Sequence, residues 1–314
     1  MNVIPIAERR LYKEDRGVTS VLEIYELETG VRRVVKEYAE LIEAPNWTKD
    51  GKRLIFNRCG RIVSYDLDTG AEKELESGAA DACNNDHVLS PDGAGIAVSH
   101  NTWEDGLSRI YTLPLTGGVP TLVTPIGPSY LHGWSPDGRL LAYCAERNGR
   151  FNIYTIPVEG GVETQLTGRE PGAGREEKQS PPVLDDGPEY SPREEKGAGC
   201  GPCIWFNSTR SGLMQVWRMD SDGANPRQMT FDECNNWFPH ISPDGSKVVY
   251  ITYNKDDAAP HSHPPNKHVE LRLMAAEGGP HTTLVKLFGG QGTINVNSWA
   301  PDSKRFAFVS YILK

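Results

Sequence analysis

One phrase recurs six times along the chain: NWTKDG (46–51), VLSPDG (88–93), GWSPDG (133–138), EYSPRE (189–194), HISPDG (240–245) and SWAPDS (298–303). Aligned on Thr48, Ser90, Ser135, Ser191, Ser242 and Ala300, the copies lie 42, 45, 56, 51 and 58 residues apart. Pro-Asp-Gly is a turn for physical reasons. Proline presets φ, aspartate hydrogen-bonds nearby backbone, and glycine tolerates φ > 0. Periods of this length mark a repeat architecture.

Each turn is followed by a short apolar run that reads as a strand, among them RLIFNR, LLAYCA, VVYITY and RFAFVSY. A third strand, ending in a glycine turn, also recurs six times, as in SYDLDTG, IYTIPVEGG and VWRMDSDG, and a fourth follows it. The order is circularly shifted. The first copy of the third strand (24–30) precedes the first copy of the first strand (46–48), and the last copy of the second strand (305–311) lies at the C-terminal end. A linear array has no need of that split. A ring does, because the two ends then share one blade and free sheet edges disappear. The expected fold is therefore all-β: a six-bladed β-propeller of four-stranded blades, closed by pairing N-terminal with C-terminal strands. It spans residues 19–314 behind an N-terminal arm of residues 1–18.

Bulk composition agrees with many short strands. Glycine and proline number 32 and 23 among 314 residues, a turn-rich usage. The net charge of −9 comes without a basic stripe, so no nucleic-acid partner is expected. No basic amphipathic helix or long apolar run points to a membrane. The first residues, MNVIPIAERRLYKEDRG, lack a signal-peptide pattern, so a cytoplasmic location and reduced cysteines are expected.

The phrases WSPDG, LAYCAERNGRFNIYTIPVEGG and IWFNSTRSGLMQVWRM resemble the TolB-like β-propellers over nearly the whole chain after about residue 18. The resemblance implies the fold and says little about activity, because propellers host binding modules and enzymes alike. It points to a cytoplasmic subgroup without the N-terminal domain of TolB itself.

Strand order sets which loops share a face. Residues just before each turn motif line the central channel at what is termed the top face. The stretches CNNDHV, YLHGW, LDDGPEY, NNWFPHI and GGQGTINVNSW place Asp86, His87, His132, Glu189, His240, Gln291, Asn295 and Asn297 there. The long fifth-blade loop, 253–274, adds His261, His263, Lys267 and His268, with Arg272 on the strand that follows. Converging polar groups suit either a hydrogen-bonded channel or a pocket for a small polar ligand, a sugar or sugar acid. A lyase or hydrolase would use His240 or His263 as base and Lys267 or Arg272 as cation. Asp86, His87, His132, Glu189, Arg272, Gln291, Asn295 and Asn297 would bind the ligand. The alternative is a non-catalytic scaffold with a protein partner on the top face, marked by exposed Trp103 or Trp237.

A more distant resemblance is to the oligogalacturonate lyase propellers, which implies a divalent metal held near the axis by histidines and a glutamine. Gln291 and His240 would supply that set, but Asn295 and Asn297 stand where a histidine pair is expected, and amides are weaker ligands than imidazole. No cofactor is assigned on this basis. GGQGT (289–293) lacks the Lys-Ser/Thr ending of a P-loop, and no GxSxG elbow occurs. The segment 167–187 reads as a polar top-face loop. Cys200-Gly201-Pro202-Cys203 has the spelling of a redox motif, yet the repeat places it in a bottom-face turn, with no helix behind it to acidify a thiol.

Overall fold

The computed structural model describes residues 17–168, 183–192 and 202–314. The arm 1–16, most of the loop 167–187 and Cys200 and Gly201 lie outside them. Among the described residues there are strands and no helix. The N-terminal strands β1 (Val18–Glu26) and β2 (Arg32–Tyr38) belong to the last blade. Blade one follows with β3 (Ile42–Trp47), β4 (Arg53–Arg58), β5 (Arg61–Asp66) and β6 (Glu72–Glu74). Blade two holds β7 (Cys83–Leu89), β8 (Gly95–Asn101), β9 (Ser108–Pro114) and β10 (Thr121–Leu122). Blade three holds β11 (Ser129–Trp134), β12 (Leu140–Arg147), β13 (Arg150–Pro157) and β14 (Thr164–Gln165). Blade four holds β15 (Asp185–Tyr190), β16 (Cys203–Ser211), β17 (Leu213–Asp220) and β18 (Arg227–Gln228). Blade five holds β19 (Cys234–Ile241), β20 (Lys247–Asn254), β21 (Lys267–Ala275) and β22 (Thr282–Gly289). β23 (Arg305–Leu313) completes the sixth blade.

The turn motif works as its chemistry predicts. In blade two Ser90 Oγ donates to Asp92 Oδ1 at 2.5 Å and accepts from Gly95 N at 2.8 Å, while Gly93 N donates to Ser90 O at 2.8 Å. Ser135 and Ser242 repeat the arrangement, and Thr48 supplies the same hydroxyl in blade one. The strand after each turn is apolar on both faces because each sheet is sandwiched between two others. Leu141, Ala142, Tyr143, Cys144 and Ala145 of β12 are all buried, as are Val248 through Tyr253 of β20.

The ring closes where the sequence order requires. β1 pairs with β23 from Val18–Leu313 to Glu26–Arg305 without a break in register. Glu23 lies buried in this seam. It accepts from Ser310 Oγ at 2.5 Å and from both Nε and Nη2 of Arg32, whose guanidinium lies over the Phe308 ring at 5.4 Å. A buried carboxylate is tolerated here because it is paired and hydrogen-bonded.

The sixth blade departs from four regular strands. Its innermost strand is reduced to one bridge, Trp299 with Phe306. Residues 290–298 run irregularly, and their backbone bonds go elsewhere: Ala44 N donates to Gly292 O at 2.7 Å and Val309 N to Thr293 O at 3.0 Å. Gly290 makes this path feasible. At φ +127° a Cβ would sit 2.3 Å from Pro264 O, in backbone space open only to glycine. We therefore expect Gly290→Ala to cost at least twice as much in denaturant unfolding as Gly245→Ala. Gly245 also has positive φ, but a Cβ there meets nothing within 4 Å. The latter change should cost about 1–2 kcal/mol, the price of a left-handed alanine.

Candidate functional site

The inner strands of blades one to five each carry a β-bulge at the same place. The breaks fall between Glu43 and Asn46, Cys83 and His87, Leu131 and Gly133, Asp186 and Glu189, and Trp237 and His240. A bulge re-aims side chains locally. In three blades it is written as a residue of positive φ followed by proline: Ala44-Pro45, Gly187-Pro188 and Phe238-Pro239. Five residues before the turn position in blades two to six, Asn85, Tyr130, Asp186, Trp237 and Asn295 line an upper chamber. One residue before it, Trp47, Leu89, Trp134, Tyr190, Ile241 and Trp299 line a lower one. The bulge is the boundary between them, and His132 touches both.

The waist is a hydrogen-bonded plug. Glu189 Oε2 lies 2.7 Å from His240 Nδ1, and its Oε1 accepts from Ile241 N at 2.9 Å and Asn297 Nδ2 at 2.7 Å. His240 Nε2 lies 2.8 Å from Ile294 O. Asn46 Nδ2 donates to Asn297 O at 2.7 Å, which ties blade one into the same layer. Both nitrogens of His240 are thus occupied, and the residue is 3% exposed. It lines neither chamber, so the structure does not offer it to a top-face ligand. Glu189 and Asn297 line the lower chamber, not the upper one.

The upper chamber has a volume of about 420 Å³. Asp86, His132, Gln291 and Asn295, all expected there, are brought together, with His261 and His263 from the fifth-blade loop. Asp186 is the group that sequence reasoning missed. It sits within the quoted LDDGPEY stretch, but the pattern alone did not say which of two adjacent aspartates would face inward. Asp185 instead pairs with Arg210 at 2.8 Å. Asp186 Oδ1 lies 3.3 Å from His132 Nε2 and Oδ2 lies 3.9 Å from His263 Nε2. Asp86 accepts from Asn295 Nδ2 at 2.5 Å and Asn84 Nδ2 at 2.9 Å. Phe238 stacks on His132 at 5.5 Å and meets His263 edge-on at 5.1 Å; Trp237 meets His263 at 4.5 Å.

These neighbours drive the titrations apart. Burial, with help from the Asp186 charge, pushes the Asp86 carboxyl up to about 6 against the pull of His132 and the two amides. Burial also opposes ionisation of Asp186, but the His132 hydrogen bond and charge outweigh it and hold the carboxyl below the usual range. Burial works against a charge on His132, yet the Asp86 and Asp186 carboxylates overcome it and raise the imidazole. His263 goes the other way, lowered by burial despite Asp186.

The remaining expected residues lie elsewhere. His87 is fully buried and lines neither chamber. Arg272 is locked to Glu270 at 2.8 Å and Asp232 at 3.1 Å on the outer part of blade five. Lys267 opens β21 half-buried and is not among the chamber's lining residues, and His268 is exposed against Phe288. Arg272 is committed to the Glu270 and Asp232 carboxylates and does not line the chamber. Cys203 opens β16 with no helix behind it. Among the described residues no group of three or more His, Cys, Asp or Glu is arranged to hold a metal ion.

Burial lowers the His87 imidazole to about 4, offset in part by the backbone at Ile55 and Ala44. The unfolded imidazole takes up its proton near 6.5, so between those values the unfolded chain binds more protons and folding weakens as pH falls. His87→Leu removes this uptake. The variant should gain about 3 kcal/mol on the native protein between pH 7 and pH 4, read from urea unfolding at stepped pH; parallel stability curves would refute the assignment.

Comparison with known proteins places this geometry in context. The TolB beta propeller domain matches residues 133–263. An uncharacterized protein of Agrobacterium fabrum is 45% identical over 297 residues, covering 94% of this chain and 93% of its own. A TolB-type structure from Agrobacterium tumefaciens is 43% identical at TM-score 0.82, covering 94% of this chain and 99% of that one. TolB of Acinetobacter baumannii is 18% identical at TM-score 0.62, over 87% of this chain and 65% of its own, a likeness of fold. A manganese-bound oligogalacturonate lyase is 14% identical at TM-score 0.47 and covers 85% of this chain and 67% of its own, too loose a match to carry a site across.

Proposed function

The chain belongs to the TolB-like β-propeller family, whose fold alone specifies no activity, and from that premise we propose that the upper chamber binds a small, uncharged polar ligand, a sugar being the class its walls suit best. One observation carries this reading. Asp86, Asp186, His132, His263, Asn84, Asn85, Asn295 and Gln291 border a single void whose walls also include Tyr130, Phe151, Trp237 and Phe238. Alternating hydroxyl donors and acceptors with apolar ring faces is what such a wall complements. The void falls within the usual size of small-molecule sites, roughly 300–1,000 Å³. Asn85 Nδ2 and Asn295 Oδ1 are buried with no partner among the described residues. Such groups cost free energy until something hydrogen-bonds them.

The charge pattern narrows the class. No lysine or arginine lines the chamber among the described residues, and two aspartates do. A sugar acid would bring its carboxylate against Asp86 and Asp186 without Arg272 or Lys267 to meet it. A neutral sugar avoids that cost. The alternative, a scaffold for a protein partner, called for an aromatic surface patch. Trp237 is 1% exposed and Trp103 donates its indole N–H to Asp81 at 2.7 Å.

The test is a thermal-shift titration with neutral mono- and disaccharides beside the matching uronates. Neutral sugars should raise Tm in proportion to ln[ligand], by an amount equivalent to about 2.7 kcal/mol at a hundredfold excess over Kd, and uronates less. Asn85→Leu, which removes the unpartnered amide, should abolish the shift and Lys267→Ala should preserve it. A flat response throughout, or a shift that survives Asn85→Leu, would refute the reading.

A further inference from the structure

Two carboxyl groups share the upper chamber without sharing a role. Asp86 is carried by β7 of blade two and Asp186 by β15 of blade four, with His132 on β11 of blade three between them. Each is fixed differently. Asp86 is held by two neutral amides, Asn84 and Asn295, and is 3% exposed. Asp186 is flanked by two imidazoles and takes a backbone bond from Gly187 N at 2.7 Å; its side chain keeps 15% of its surface open. The bulges of these strands, not a shared helix or loop, set the two groups across one void.

We propose that this pair makes the protein a glycoside hydrolase, with Asp86 as the proton donor and Asp186 as the base. The proposal rests on the sugar-binding reading above and adds a reaction to it. In the step, the Asp86 carboxyl gives its proton to the glycosidic oxygen as the bond from that oxygen to the anomeric carbon breaks. The leaving alcohol departs with the electron pair of that bond. Water adds its oxygen to the anomeric carbon and loses a proton to Asp186. The products are the free sugar and the alcohol, and solvent returns the proton from Asp186 to Asp86. Two carboxyl groups in contrasting environments are what this chemistry needs, one able to hold a proton and one to remain ionised.

The surroundings support that division. Asp86 faces Asp186, His132 and Tyr130, and burial favours its protonated form up to about 6. Asp186 faces His132, His263 and the Cys144 thiol, which burial keeps protonated, and the His132 hydrogen bond favours its ionised form. His132 is a positioning residue: its Nε2 holds Asp186 in place, and its charge offsets that of the pair.

The experiment uses the full chain and aryl glycosides of glucose, galactose, mannose and xylose in both anomeric forms, assayed from pH 4 to pH 8. At least one should be turned over, with kcat/KM falling as pH rises through about 6, where Asp86 loses its proton. Asp86→Asn should lower kcat/KM by roughly 10²–10⁴-fold on a methylphenyl glycoside, whose leaving group needs a proton. On the dinitrophenyl glycoside, which does not, the loss should be under tenfold. Asp186→Ala should lose turnover on both and regain it with sodium azide, yielding the glycosyl azide. Equal losses on both leaving groups in a folded Asp86→Asn variant would overturn the assignment of the acid. No turnover of any glycoside, in a protein whose Tm still rises with neutral sugars, would overturn the hydrolase and leave sugar binding standing. No turnover and no shift would overturn both.

Discussion

The antiparallel ladder between β1 and β23 is the constraint on which the rest depends. It joins the two ends of the chain and converts a row of sheets into a ring. Only in a ring do six inner strands converge on one axis. Convergence forces polar residues from distant parts of the sequence into a narrow space, where each must find a partner or face solvent. The buried Glu23–Arg32–Ser310 cluster in the seam shows the same rule applied to closure itself. Within it, the bond from Ser310 of the last strand to Glu23 of the first forms only when those two strands are in register.

The repeated bulge divides what convergence creates. Below it, the waist residues satisfy one another: Glu189, His240, Asn297 and Asn46 form a plug with nearly all bonds internal. Above it, Asp86, Asp186, His132 and His263 are only partly satisfied and border a void. Position along a strand, within a span of about three residues, therefore decides whether a polar group stiffens the channel or faces a ligand. The strained backbone at Phe238 belongs to this device, since its ring stacks on His132 and touches His263.

Much of this was legible in the residues. The turn motif reports its own hydrogen bonds, so the blade count and the circular shift could be read directly. The enrichment of His, Asp and Asn just before each turn drew attention to Asp86, His132, Asn295 and Gln291, which the structure brings to one chamber. His240 was legible as a channel residue but not as an occupied one. Its partners, Glu189 and the carbonyl of Ile294, lie 51 and 54 residues away. Arg272 and Lys267 looked available because they follow a histidine-rich loop, yet Arg272 is held by Glu270 and Asp232, and neither residue lines the chamber.

The sequence by itself determined the secondary structure, the ring and the set of residues near the axis, because turn chemistry and strand alternation are local and repeat with the chain. Tertiary structure alone decided depth: which side chain stops at the waist, which reaches the upper chamber, and which aspartate of the Asp185-Asp186 pair faces inward. The physical reason is the bulge. It adds one residue to the inner strand of blades one, three, four and five and two to that of blade two, and its backbone geometry is set by contacts with neighbouring blades that no single stretch of sequence contains.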